Sequence, residues 1–120
     1  MAILDAQHAN AAAAIDSTIV RARDYLQTHL AEDISVEDLA DRVGLSRHHF
    51  SRRFAAAVGL PPVRYLRELR LRHASELLAT SDAGVEEVGY QSGFSSASYF
   101  CRVFREGTGL TPTEFRRSRS

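Results

Sequence analysis

One cysteine, no tryptophan and no lysine occur in this 120-residue chain, and the shortages remove whole classes of function. With Cys101 alone, no internal disulfide forms and no cysteine-rich zinc site can be assembled. A reducing cytoplasm is the expected compartment. No apolar run approaches the ~20 residues that a membrane span needs, so no membrane partner is expected. The segment after Met1 has neither the basic start nor the apolar core of a secretory signal. No nucleophile–base pair, paired carboxylates or phosphate-cradling glycine loop stands out, which points away from an enzyme and from a bound cofactor. His48-His49 and the distant His73 are poor metal ligands, because neighbours on a helix point ~100° apart and no acidic or cysteine cluster accompanies them. No metal site is expected.

What remains is an ordinary globular composition, 44% hydrophobic, with zero formal net charge. The zero conceals a separation. Residues 1–46 hold three Arg against eight acids, a net −5, and residues 47–120 hold twelve Arg against seven, a net +5. A neutral protein can therefore present a basic face.

The chain also repeats itself. VEDLADRVGLSRHHFSRRFAAAVGLPP, from Val36, returns as VEEVGYQSGFSSASYFCRVFREGTGLTP, from Val85. Gly44-Leu45-Ser46 matches Gly93-Phe94-Ser95 at an offset of 49, whereas Phe50, Arg52, Phe54 and Gly59 match Phe100, Arg102, Phe104 and Gly109 at 50. The second copy carries one extra residue just after its Gly-Phe-Ser turn. A repeat of this length is one supersecondary unit used twice.

The punctuation reads as helices throughout, with no sustained strand alternation. Residues 1–16 read as a linker, a helix extension or an expression-vector remnant. Apolar residues at 15, 19, 22, 26 and 30 mark a first helix ending near His29, with Asp16 or Ser17 as its N-cap. Ser35 and Asp38 resemble a capping box that opens a short second helix burying Leu39, Ala40 and Val43. Gly44 stops it at low steric cost. Ser46 then caps a third helix from about Arg47 to Ala57, with Phe50 and Phe54 on one face. Pro61-Pro62 precedes a fourth helix over about 63–79, with Leu66, Leu71, Ala74, Leu77 and Leu78 on its apolar side. A fifth helix is expected over 85–91 and a sixth over 96–106, burying Phe100, Val103 and Phe104 and ended by Gly107 and Gly109. Pro112 opens a last turn through Phe115, followed by a frayed RRSRS tail.

Each copy is thus a short helix, a tight turn at Gly and a Ser-initiated second helix, the outline of a helix-turn-helix. A joining helix of ~17 residues at ~1.5 Å each suits two recognition helices about one DNA turn, ~34 Å, apart. The divisions expected are a first helix-turn-helix subdomain over 17–60, a linker helix over 61–80, a second subdomain over 81–117, and a tail at 118–120.

With Leu39-Ala40, Gly44-Leu45-Ser46, Phe50-Ser51-Arg52, Phe54, Gly59, Tyr65-Leu66, Arg70, Ala74 and Leu77-Leu78 in the first part, the chain resembles the DNA-binding domain of AraC/XylS-type bacterial transcription regulators. The second part adds Val88, Gly93-Phe94, Ser98-Tyr99-Phe100, Arg102, Phe104, Gly109 and Thr111-Pro112. The resemblance covers about residues 17–117. It implies an all-helical, seven-helix fold of two subdomains that binds double-stranded promoter DNA to activate or repress transcription, with RNA polymerase as a further candidate partner. Full-length members commonly carry a separate sensing and dimerisation domain, so the chain is expected to be the C-terminal piece of a longer protein. Gly89 and Ser92 depart from the pattern, which usually has Ala and a branched apolar residue there. A mid-helix Gly costs ~0.5–1 kcal/mol relative to Ala, so the fifth helix is expected to be the softer one.

With Phe50 and Phe54 turned inward, Arg47, His48, Ser51 and Arg52 are the base-reading candidates of the third helix. Arg52 can place two donors on guanine O6 and N7. Ser98 and Arg102 are their counterparts on the sixth. Phosphate candidates are Ser46, Arg53, Ser95, Ser96, Tyr99, Cys101 and Arg105. For all but Arg105 a structural alternative stands: helix caps for Ser46, Ser95 and Ser96, core-edge packing for Arg53, Tyr99 and Cys101. Arg70, on the buried side of the fourth helix, is expected to make structural hydrogen bonds. The competing functional class is a helical protein-interaction module that does not bind DNA, which would require exposed apolar residues on the third and sixth helices.

Overall fold

The computed structural model describes residues 16–119. Apart from Asp16, the expected linker at 1–16 lies outside them, as do Ile15 and Ser120. Among the described residues there are seven α-helices and no strand: α1 Ser17–Thr28, α2 Val36–Arg42, α3 Arg47–Val58, α4 Pro62–Thr80, α5 Val85–Gln91, α6 Ala97–Thr108 and α7 Pro112–Ser118. They divide into two compact units. One takes residues up to Thr28 together with Ile34–Tyr65, the other His29–Asp33 together with Leu66 onward.

In the first unit α1 buries Ile19, Ala22 and Leu26, and α2 buries Leu39 and Ala40. Val43, expected inside, is instead the half-buried C-cap of α2. Phe50 and Phe54 of α3 are fully buried, and Tyr65 stands edge-on to Phe54 at 5.5 Å. Gly44 takes φ +74° and closes α2. Its N–H bonds Asp41 O at 3.1 Å, and Leu45 N–H reaches back to Ala40 O at 2.9 Å. This paired closure is a Schellman motif. Ser46 Oγ then accepts from His49 N–H at 3.2 Å and starts α3.

The second unit repeats the device with the same distances. Gly93 N–H bonds Tyr90 O at 3.1 Å and Phe94 N–H bonds Gly89 O at 2.9 Å. Ser96 Oγ, not Ser95, accepts from Tyr99 N–H. Ser95 is therefore the extra residue of the second turn. Leu71, Ala74, Leu78, Val88, Phe94, Phe100, Val103 and Phe104 form the core, with Leu77 and Phe115 packed against it. Gly89 sets α5 closely against α6: a Cβ there would stand 2.7 Å from Phe100 Cδ2.

Two expectations at the C-terminus are corrected. Gly107 does not end α6, which continues to Thr108 and closes on Gly109 at φ +83°. Leu71 Cδ1 occupies the space that a side chain at 107 would need, so this glycine serves packing. Nor does the chain fray after Phe115. Thr111 and Glu114 form a reciprocal capping box that starts α7, and Arg116 donates to Leu78 O at 3.1 Å and Ser81 O at 3.2 Å. Arg70 behaves as expected, with Nε on Leu30 O at 2.7 Å and Nη2 on Glu32 O at 2.8 Å. Burial is the largest influence on this guanidinium and lowers its pKa.

Candidate nucleic-acid interface

Burial of Phe50 and Phe54 decides which way α3 turns its other side chains. His48, His49 and Arg52 are exposed on the opposite side, and Arg47 is exposed at the helix start. Ser51 is half-buried at the flank. Arg47 is held by Glu37 of α2, its Nη1 2.6 Å from Glu37 Oε1. Arg53 lies at the inner edge, with Nη2 3.7 Å from Asp16 Oδ1, a placement that favours its core-edge alternative over a phosphate contact. His49, exposed beside His48 and Arg52, was not among the site residues singled out in the sequence. Its signal was available, because it sits three residues before Arg52 and off the Phe50–Phe54 face.

On α6 the inward residues are Phe100, Val103 and Phe104. Ser98, Tyr99, Arg102 and Arg105 are exposed, and Cys101 is half-buried. The Arg102 guanidinium lies 5.3 Å from the centre of the Tyr99 ring, which itself leans on Phe94 at 6.0 Å. Tyr99 thus supports Arg102 by cation–π attraction. Cys101, Arg102, Arg105, Glu106 and Thr111 line an open depression of about 570 Å³. Ser46 and Ser96 are occupied as helix caps, and Ser95 sits exposed in the turn.

The two helix-turn-helix segments differ in charge. Residues 36–58 carry four Arg and three acids, whereas residues 85–108 carry two Arg and three acids. Among the described residues no group of three or more His, Cys, Asp or Glu side chains is placed to hold a metal ion.

Comparison with known proteins bears on the family and the fold. The profile of a family described as "Helix-turn-helix domain" matches residues 39–118. A crystal structure of a transcriptional regulator with an AraC-type DNA-binding domain from Chromobacterium violaceum superposes with a TM-score of 0.80 at 31% identity, over 90% of this chain and 96% of that one. The chain belongs to the AraC/XylS-type helix-turn-helix family. Another family structure, the DNA-binding domain of the global transcriptional factor AdpA in complex with a target DNA, gives a TM-score of 0.81 at 35% identity, over 83% of this chain and 90% of that one. An uncharacterised HTH-type transcriptional regulator of Staphylococcus aureus is 34% identical over 112 residues. That match takes in 93% of this chain but 15% of the relative, so the chain spans a small part of that regulator's length. The expected fold class, all-helical with two helix-turn-helix units, is the observed one.

Proposed function

We propose that this chain is the DNA-binding part of a bacterial transcription regulator, with α3 and α6 each entering a major groove of promoter DNA. The observation that carries the reading is the duplicated Schellman turn, followed each time by a Ser-capped helix whose outward side bears arginine. The AdpA domain, similar in sequence and fold, was solved on its target DNA. In this reading Arg52 and Arg102 read guanine, His48, His49, Ser98 and Arg47 contact base edges or phosphates nearby, and Arg105 lies toward the backbone. Subdomains 17–60 and 81–117 are the two readers, joined through 61–80. The domain catalyses no reaction and works in the cytoplasm, where its DNA is. Among the described residues, no helix is long and apolar enough to cross a membrane. Effector sensing and any contact with RNA polymerase belong to the parent regulator.

The protein-interaction alternative requires apolar outer faces. Of the large exposed hydrophobic residues, only Tyr99 lies on α3 or α6, and the Arg102 guanidinium stands 5.3 Å from its ring. Titration of a genome-selected duplex at several salt concentrations tests the proposal. Each phosphate neutralised contributes about 0.9 to the slope of log K against log salt. A flat slope, or no duplex binding at low salt, would refute it.

A further inference from the structure

Arg47 is already engaged before any DNA arrives. Its Nη1 donates to Glu37 Oε1 at 2.6 Å, although the two side chains remain 64% and 56% exposed. Glu37 belongs to the first turn of α2 and Arg47 is the first residue of α3, so the pair bridges the helix-turn-helix. A cation at a helix start meets the positive end of the helix dipole, and the carboxylate offsets that repulsion. The second copy has no such pair. Ala97 stands where Arg47 does, and Glu86, the counterpart of Glu37, takes a hydrogen bond from Tyr90 Oη at 3.4 Å on its own helix.

We infer that Glu37 is a positioning residue for Arg47, holding its guanidinium in one orientation and cancelling its charge so that it reads a base edge rather than clamping phosphate. The inference rests on the DNA-binding reading above. An exposed pair contributes little to folding, so its consequence falls on binding. A long Arg side chain loses rotamer freedom when fixed on DNA, and an ion pair that fixes it beforehand lowers that cost. Arg47 has five N–H donors, one of which is committed to Glu37. A phosphate approaching them would also approach Glu37. A neutral base edge carries no such penalty, and only correctly placed acceptors reward it. Glu37 therefore trades general affinity for selectivity, as a repulsive element does in a specific interface.

The test compares wild type, Glu37→Gln, Arg47→Ala and the double variant on a genome-selected duplex and a random duplex at several salt concentrations, with thermal unfolding as a control. Glu37→Gln is expected to keep the wild-type unfolding midpoint and to raise random-duplex affinity on the order of fivefold, about what one unit-charge interaction at ~4 Å in water is worth. Its salt slope should steepen by about 0.9, and its selected-to-random ratio should fall. Arg47→Ala should lower the ratio at one base-pair position with an unchanged slope, and the double variant should keep that loss but bind random duplex more tightly than Arg47→Ala, because the unpaired Glu37 charge is gone. The inference is overturned if Glu37→Gln leaves slope and ratio as in wild type, or if Arg47→Ala itself flattens the slope by about 0.9. Those outcomes leave the broader reading standing. A wild type that binds no duplex at low salt removes both.

Discussion

Gly89→Ala sets two effects of opposite sign against each other. Alanine in place of a mid-helix glycine stabilises a helix by about 0.5–1 kcal/mol, and Ala is the usual residue here in the AraC-type pattern. In this chain the new Cβ would lie 2.7 Å from Phe100 Cδ2, 3.0 Å from Cγ and 3.2 Å from Cβ. Turning the ring about its own axis moves Cδ2 but leaves Cγ and Cβ in place, so two tight contacts remain. Nor is there room to withdraw. Phe100 is fully buried, with Phe94 at 5.0 Å and Phe104 at 5.7 Å. Overpacking of a filled core costs about 1–3 kcal/mol, which exceeds the propensity gain. The substitution should therefore destabilise the second unit by roughly 1 kcal/mol, a fall of about 4–8 °C in Tm for a domain of 60–100 residues. Urea unfolding followed by circular dichroism measures it. A Gly89→Ala/Phe100→Leu variant should show a favourable coupling of about 0.5–3 kcal/mol, as expected for residues in contact. A single variant as stable as wild type, or strictly additive effects in the double, would refute the packing account and return Gly89 to the role of a soft spot.

Two further substitutions probe the same unit. Ser92 is fully buried and its Oγ has no hydrogen-bond partner, a state that costs about 1–3 kcal/mol. Ser92→Ala should raise stability by about 1 kcal/mol in urea unfolding, and an unchanged midpoint would show that the hydroxyl is satisfied in solution. The Glu114 carboxyl is held below its ordinary pKa, chiefly by the Thr111 N–H hydrogen bond at 2.8 Å. A depressed folded-state value means that the contribution is complete above the ordinary carboxylate range and is lost as pH falls through the lowered value. The stability difference between wild type and Glu114→Ala should accordingly shrink on acidification, and a difference independent of pH would count against the capping role.

Local devices were legible in the sequence, and contacts between distant side chains were not. Gly44, Ser46, Gly59, Gly93 and Gly109 mark their turns by residue type, and the Phe pairs at i,i+4 define the inward faces of α3 and α6. The end of α7 was missed because Arg116-Arg117-Ser118 offers no apolar periodicity. Its start was readable, since Thr111-Pro112-Thr113-Glu114 is a capping-box pattern with proline at the first position. Gly107 misled for a physical reason. A glycine near a helix end reads as a terminator, whereas this one admits Leu71. The Arg47–Glu37 pair spans ten residues and two helices, a separation at which no local spacing rule applies. Ser95 and Ser96 were equivalent until backbone geometry made one the cap.

The repeat also bears on what the DNA site should look like. The two copies keep the residues that build the backbone and vary those that face outward. Phe50, Phe54 and Gly59 return as Phe100, Phe104 and Gly109, but Arg47, His48 and His49 become Ala97, Ser98 and Tyr99. Among the outward candidates only arginine is retained, at Arg52 and Arg102. Two readers that share a scaffold and one arginine should recognise two different short sequences, each with a guanine at the matching place. Duplexes selected from random pools should therefore yield two unlike sub-sites, neither an inverted nor a direct repeat. Arg52→Ala and Arg102→Ala should each relax preference at one guanine, with a loss of about 1–3 kcal/mol per bidentate contact and no effect on the other sub-site. Identical sub-sites, or a uniform loss over all sequences in both variants, would refute this division, the latter because phosphate contacts carry no sequence information.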